Sequence, residues 1–341
     1  MFDEGASRWT QCLGACVLLA LGACAPVPES PSLPPLGVNL DDTTVSGLSA
    51  GGYMAVQYQV AFSGEVQGAG VFAAGPWACA RGRLQLALQD CTDRSDAAPP
   101  VPWLLQKLRA AAAAGDIAPT AGLANDRVWI FRGANDQRIA PQVTTALVEF
   151  YRAVLPPTQV LLAAPVPAGH AIPTETAGTA CEATAPPYLA ACRHDGVGEM
   201  LASVTARALL PTTEPGELRR FGQRPYDAEG TLADVGYVYI PAACQAGGRQ
   251  CPLHIAFHGC EQGADTIGER FVREAGYRRA ADRLGIVVLF PQVARSLWHP
   301  VNPRGCWDWW GYTGEDYLGR KGAQLVAVHA MAEALALTPA R

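Results

Sequence analysis

Thr43–Met54, TTVSGLSAGGYM, is the stretch on which the fold turns. Three residues ending on Val45 read as the tail of a strand, and a helix-like run extends from Tyr53 to Ala61. Between them, Gly47-Leu48-Ser49-Ala50-Gly51 fits G-x-S-x-G, the pattern of a sharp strand-to-helix turn that lifts a serine hydroxyl clear of the sheet. Small flanking residues let the backbones crowd, and the N–H after the serine points at a developing oxyanion. A plain glycine-rich turn fits the same five residues equally well, so the partners decide.

A serine nucleophile needs an imidazole to take its proton and a carboxylate to orient that imidazole. Ser49, Asp136 and His170 occur in the order nucleophile, acid, histidine, and each closely follows a strand-like run. Those runs end at Val45, at Arg132 of RVWIFR (127–132) and at Ala164 of 159–164. Strand ends of a parallel sheet converge on one crevice. Asp136 in GAND also suits a turn, whereas His170 in AGHA has no apolar periodicity around it.

Strands and helices alternate along most of the chain. Further strands are expected at 68–74, 236–240, 253–257 and 286–290, and helices at 101–114, 143–154, 269–284 and 322–335. This alternation implies a mostly parallel sheet with helices on both faces, in one domain of residues 37–341 with loop insertions. Residues 211–231 read as a polar connection with three prolines. GAGVFA at 68–73 matches a loose dinucleotide fingerprint, but no helix follows and Pro76 breaks the chain, so no cofactor is expected.

A formal net charge of −5 with no run of Lys or Arg argues against nucleic acid as a partner. Cys12–Ala23 is an apolar run of signal-peptide size, and Leu21-Gly22-Ala23-Cys24 resembles a lipobox, with Cys24 as the lipidated residue. Ordinary cleavage near Ala25 is the other reading, and Asp3 and Glu4 are unusual in such a leader. Residues 1–24 are thus a signal segment and 25–36, rich in Pro and Ser, a tether. The protein is expected to be exported, as a periplasmic or cell-surface lipoprotein or else secreted. It would touch membrane only through the anchor, and it would be a monomer.

Of eleven cysteines, the eight beyond Cys24 are an even set with neither C-x-x-C nor zinc-ligand spacing, which favours disulfides over metal. Spacing suggests Cys79–Cys91, Cys181–Cys192 and Cys244–Cys251, leaving Cys260 with Cys306, although sequence alone does not determine connectivity.

An α/β hydrolase draws one oxyanion donor from the residue after its nucleophile, here Ala50, and the other from a His-Gly loop after an earlier strand. The matching loop, His258-Gly259-Cys260, lies after the triad instead of before it. From Cys260 the chain gives helix, strand, helix, and the strand bearing the nucleophile is found near the N-terminus. The fold therefore reads as a circularly permuted α/β hydrolase, a cheap rearrangement where chain ends are neighbours.

GLSAGGYMA, FRGANDQRIAP, GHAIPT, GYVYIPAAC, LHIAFHGCEQ and CWDWWGYTG together resemble the circularly permuted poly(3-hydroxybutyrate) depolymerases, the single-domain fungal type and its bacterial relatives. The resemblance runs from Gly37 to the C-terminal helix and is weakest at 77–126 and 171–235. It implies Ser49 as nucleophile, Asp136 and His170 as its partners, and the N–H groups of Ala50 and Cys260 as the oxyanion hole. It also places a tryptophan of the WDWW run, Trp307 above all, beside the substrate. Trp309 and Trp310 complete the expected contact surface, with the reservation that two of the cluster pack in the core.

The expected activity is a serine esterase acting on poly(3-hydroxybutyrate) or its oligomers through an acyl-enzyme. A feruloyl or acetyl-xylan esterase on the same scaffold is the second reading, and a non-catalytic lipid-anchored binding protein the third. No polymer-binding module follows the last expected helix, which favours amorphous polymer or oligomers.

Overall fold

The computed structural model describes residues 31–338, except 94–97, 212–213 and 246–249. The expected leader, Cys24 and the first half of the tether lie outside the described residues. The tether's end does not hang free: Leu33 is buried, Pro31 accepts the Gly222 N–H, and the Leu36 N–H reaches Leu335.

In chain order the strands are β1 (Asn39–Leu48), β2 (Val66–Phe72), β3 (Arg127–Phe131), β4 (Val160–Leu162), β5 (Ile172–Thr174), β6 (Thr179–Ala180), β7 (Leu189–Ala191), β8 (Glu217–Gly222), β9 (Val235–Ile240), β10 (Pro252–Phe257) and β11 (Val287–Phe290). Eight of them form one sheet in the order β4-β3-β2-β1-β10-β11-β9-β8. Only β9 runs against its neighbours, pairing antiparallel with both β11 and β8. Strands β5, β7 and β6 make a small parallel sheet.

The helices are α1 (Ala50–Ala61), α2 (Leu84–Asp90), α3 (Val101–Ala114), α4 (Pro141–Arg152), α5 (Gly196–Thr205), α6 (Ala242–Gln245), α7 (Ala264–Ile267), α8 (Arg270–Glu274), α9 (Tyr277–Leu284) and α10 (Ala323–Ala336). They cover both faces of the large sheet. Helix α1 presses on one face, where Gly47 of β1 meets Gly51, while Met200 of α5 fills the space over Gly70, and Tyr277 of α9 bonds Ser46, on the other. Residues Thr43–Leu48 of β1 are buried without alternation, as expected of a central strand covered on both sides. Every residue of α1 is buried as well, which its apolar, almost uncharged sequence permits.

Two expectations change. The polar connection at 211–231 contains β8, whose ELRRFG sequence keeps charge on an outer edge where an unpaired strand would otherwise invite association. The single helix expected at 269–284 is split into α8 and α9 by Gly276, at φ 105°. Strands β9 and β10 bracket the loop closed by Cys244 and Cys251, and in the sheet β11 lies between them. Helix α5, absent from the sequence reading, is capped by the Asp195 carboxylate, which accepts from the Gly198 N–H.

Candidate active site

The site lies at the C-terminal ends of the parallel strands. Gly47 of β1 pairs with Phe257 of β10, Leu48 with Phe72 of β2, and Phe72 with Phe131 of β3, so four strands end at one level. Ser49 follows Leu48 directly, with φ 57° and ψ −121°, a backbone that non-glycine residues rarely adopt and that costs about 1–3 kcal/mol. The turn is fixed by the Ser49 N–H donating to Phe72 at 2.9 Å and the Tyr53 N–H to Ser49 at 2.9 Å. Its hydroxyl bonds no other group among the described residues.

Glycines make the turn geometrically possible. A Cβ on Gly47 would lie 2.3 Å from the Gly51 carbonyl carbon and oxygen, and one on Gly51 would lie 2.3 Å from the Phe257 carbonyl oxygen. The two outer glycines of G-x-S-x-G therefore let β1, α1 and β10 meet backbone to backbone.

Asp136 sits five residues beyond β3, in a loop bound to the next one by the Ala134 N–H to Val166 (2.8 Å) and the Asn135 N–H to Ala168 (3.0 Å). Gly133 allows that approach: its Cβ would stand 2.2 Å from the Ala168 carbonyl oxygen. Both Asp136 oxygens are taken. Oδ1 accepts from the N–H groups of Arg138 (2.7 Å) and Ile139 (3.1 Å), and Oδ2 faces His170 Nδ1 at 2.9 Å. Burial works to raise the Asp136 pKa, but the His170 contact and the two backbone donors outweigh it and hold the carboxyl below its usual range. An ionised carboxylate there fixes the proton on His170 Nδ1 and leaves Nε2 as a base. The His170 backbone is anchored by Thr184, whose hydroxyl accepts its N–H at 2.9 Å, and by the Gly169 N–H donating to Cys181.

The His258-Gly259-Cys260 loop continues β10 and meets the serine turn directly. A Cβ on Gly259 would lie 3.2 Å from the Leu48 carbonyl oxygen. The Ala50 and Cys260 N–H groups are spent on no hydrogen bond among the described residues. Ala50 also opens α1, whose dipole favours negative charge at that end. The His258 side chain is buried and takes part in the loop. It bonds Gly259 O through Nδ1 at 2.8 Å and receives the Val293 N–H on Nε2 at 3.2 Å, and burial pulls its pKa down to about 4.

All four expected cysteine pairs are present as disulfides: Cys79–Cys91, Cys181–Cys192, Cys244–Cys251 and Cys260–Cys306. The last ties the His258-Gly259-Cys260 loop to the segment that carries the tryptophans.

Two of the three tryptophans pack in the core, as the reservation allowed, and Trp307, the one expected beside the substrate, is among them. Trp307 is 0% exposed, edge-on to Phe257 at 5.0 Å and tilted against His258 at 5.7 Å, so its ring offers no open contact surface. Trp309, also buried, stacks on Tyr53 at 4.4 Å; Trp310 alone of the three stays partly exposed. The cause is Asp308, a buried carboxylate that gathers the N–H groups of Trp310, Gly311, Tyr312 and Thr313 and the Thr313 hydroxyl, coiling the loop inward. The outward tryptophan is Trp298, 83% exposed in the turn closed by Ser296 and Asn302.

Sequence reasoning also missed Gln262, which is fully buried and accepts the Gly259 N–H in the His258-Gly259-Cys260 loop. The run HGCEQ held no signal for it, because a glutamine in a turn looks like solvent-facing polarity.

No protein-family model matches the chain. It is 37% identical over 323 residues to a poly(3-hydroxybutyrate) depolymerase of Delftia acidovorans, covering 92% of this chain and 64% of that protein's length. It is 32% identical over 343 residues to a polyhydroxybutyrate depolymerase of Talaromyces funiculosus, covering 96% of each. Among solved structures, PHB depolymerase from Penicillium funiculosum superposes with a TM-score of 0.82 at 30% identity, over 89% of this chain and 98% of that one. A form of PHB depolymerase complexed with an R3HB trimer superposes equally well.

Proposed function

From the premise that the chain belongs to the poly(3-hydroxybutyrate) depolymerase family, we propose that it is a serine esterase hydrolysing poly(3-hydroxybutyrate) or its oligomers. The observation that carries the reading is the buried Asp136–His170 pair, set at the same sheet edge as a serine in a strained turn. A carboxylate saturated by three donors and an imidazole whose Nε2 bonds no group among the described residues make a proton acceptor.

In this reaction Ser49 Oγ attacks the ester carbonyl as His170 Nε2 takes its proton. Asp136 holds the imidazole and stabilises its cation. The carbonyl oxygen becomes an oxyanion between the Ala50 and Cys260 N–H groups, where prepositioned dipoles need no reorganisation. Collapse expels the alcohol end with the proton from His170, and water, deprotonated by the same imidazole, frees the acid from Ser49.

The sheet order supports a circular permutation. Placed between β10 and β2, the nucleophile strand β1 has the oxyanion strand on one side and the strands leading to Asp136 and His170 on the other. Four disulfides support an exported protein. A signal peptide ending at a lipidated Cys24 remains part of this proposal.

Ser49→Ala tests the chemistry. Turnover of p-nitrophenyl butyrate and clearing of a polyhydroxybutyrate suspension should both vanish while the circular dichroism spectrum is kept. Residual turnover near the wild-type rate would exclude Ser49 as nucleophile.

A further inference from the structure

The peptide between Gly259 and Cys260 carries the Gly259 carbonyl and the Cys260 N–H, and planarity points them in opposite directions. Whatever fixes the carbonyl aims the N–H. Gly259 O accepts from His258 Nδ1 at 2.8 Å and from the Gln262 N–H at 3.2 Å. On the preceding peptide, the Gly259 N–H donates to Gln262 Oε1 at 2.8 Å. Gln262 thus holds the loop from both sides, by main chain and side chain.

The other end of its amide reaches across the site. Gln262 Nε2 donates to Pro187 O at 2.9 Å and to Tyr188 O at 3.3 Å. Tyr188 O also receives the Ile172 N–H at 3.0 Å, two residues beyond His170. The Tyr188 hydroxyl donates to Glu261 Oε2 at 2.8 Å, and both residues sit at left-handed φ, 56° and 58°. Two backbone turns that no side chain favours are therefore clasped together at the residues flanking the amide. With 0% exposure, Gln262 has no water to replace these bonds, so losing them would leave buried polar groups unpaired.

We propose that Gln262 is a positioning residue for the reaction: its side-chain amide fixes the His258–Gly259 peptide, next to the one that carries the Cys260 N–H, and locks the oxyanion loop to the Pro187-Tyr188 turn, which in turn bonds Ile172, two residues beyond His170. The proposal rests on the reading of Ser49 as nucleophile and of Cys260 as an oxyanion donor. It asks nothing of substrate binding, since Gln262 is sealed from solvent. Its effect belongs to the transition state, where the oxyanion exists.

Gln262→Met keeps the length and removes both polar ends. Gln262→Glu keeps an acceptor for the Gly259 N–H. On p-nitrophenyl butyrate, Gln262→Met should lower kcat about 10- to 100-fold with KM within about twofold, less than the loss of a whole donor. Affinity for butylboronic acid, which forms a tetrahedral adduct on the serine, should fall by the same factor, and Gln262→Glu should recover part of both. Wild-type kcat in Gln262→Met, a KM change that accounts for the whole loss, or a Gln262→Glu variant no better than Gln262→Met would each overturn the proposal. Should Gln262→Met fail to fold, the ratio of kcat loss to boronate loss in Gln262→Glu decides, equal losses supporting the proposal and unequal losses refuting it. The two readings fail separately: activity in Ser49→Ala removes the nucleophile assignment, whereas an inactive Ser49→Ala beside an unimpaired Gln262→Met removes only this inference.

Discussion

Gly47 illustrates how one residue governs the site. A methyl there would meet the Gly51 carbonyl carbon at 2.3 Å and the Phe257 carbonyl oxygen at 2.7 Å, all main-chain atoms that no rotamer change can move. Gly47→Ala should therefore yield insoluble or inactive protein, and folded Gly47→Ala with wild-type turnover in an esterase assay would contradict the packing described. The sequence announced this position through G-x-S-x-G, because the motif encodes a local backbone demand. Ser49 and Asp136 were legible for a related reason: each stands past an apolar run that forms a buried strand, whereas His170 follows the edge strand β4, whose Leu161 and Leu162 are exposed. Gln262 was not legible, since its partners lie 74 and 75 positions away in sequence and only folding brings them together.

At the scale of elements, α1, β3 and α4 are joined beneath the sheet by a small polar cluster. Asp126, just before β3, accepts from Gln59 Nε2 of α1 at 2.8 Å, and Gln59 Oε1 accepts from the Tyr151 hydroxyl of α4 at 2.7 Å. Burial pushes the Asp126 pKa up to about 8, against the Gln59 bond that lowers it. A carboxyl whose folded pKa exceeds its unfolded value binds its proton more tightly in the fold. Its contribution is complete below pH about 4 and is lost as the pH rises toward 8. Asp126→Asn, which stays neutral, should flatten the decline in Tm between pH 5 and pH 8.5; parallel Tm curves for the two proteins would refute the assignment. Long buried strands and the amphipathic α4 could be read from periodicity, while β8 could not, because an edge strand keeps its charged residues and so resembles a loop.

Over the whole molecule, the disulfides divide into three short local loops and one long link. Cys79–Cys91, Cys181–Cys192 and Cys244–Cys251 close separations of 12, 11 and 7 residues, whereas Cys260–Cys306 closes 46. Chain entropy makes the long link worth about 4 kcal/mol and the shortest about 2.5 kcal/mol. Replacing Cys260 and Cys306 together by Ser should therefore lower the unfolding free energy in a urea titration more than replacing Cys244 and Cys251. The reverse order would show that the long link does not act by restricting the unfolded chain.

Sequence by itself determined the class of fold, the order of Ser49, Asp136 and His170 after successive strands, and the family, because each depends on local backbone requirements or on apolar runs that survive in one dimension. Tertiary structure alone decided which strand lies beside which, that Trp307 and Trp309 turn inward around Asp308, and that a buried glutamine spans two loops of the site. Those facts depend on contacts between distant segments, where the energy lies in burial and in paired polar groups that have no signature until the chain has closed on itself.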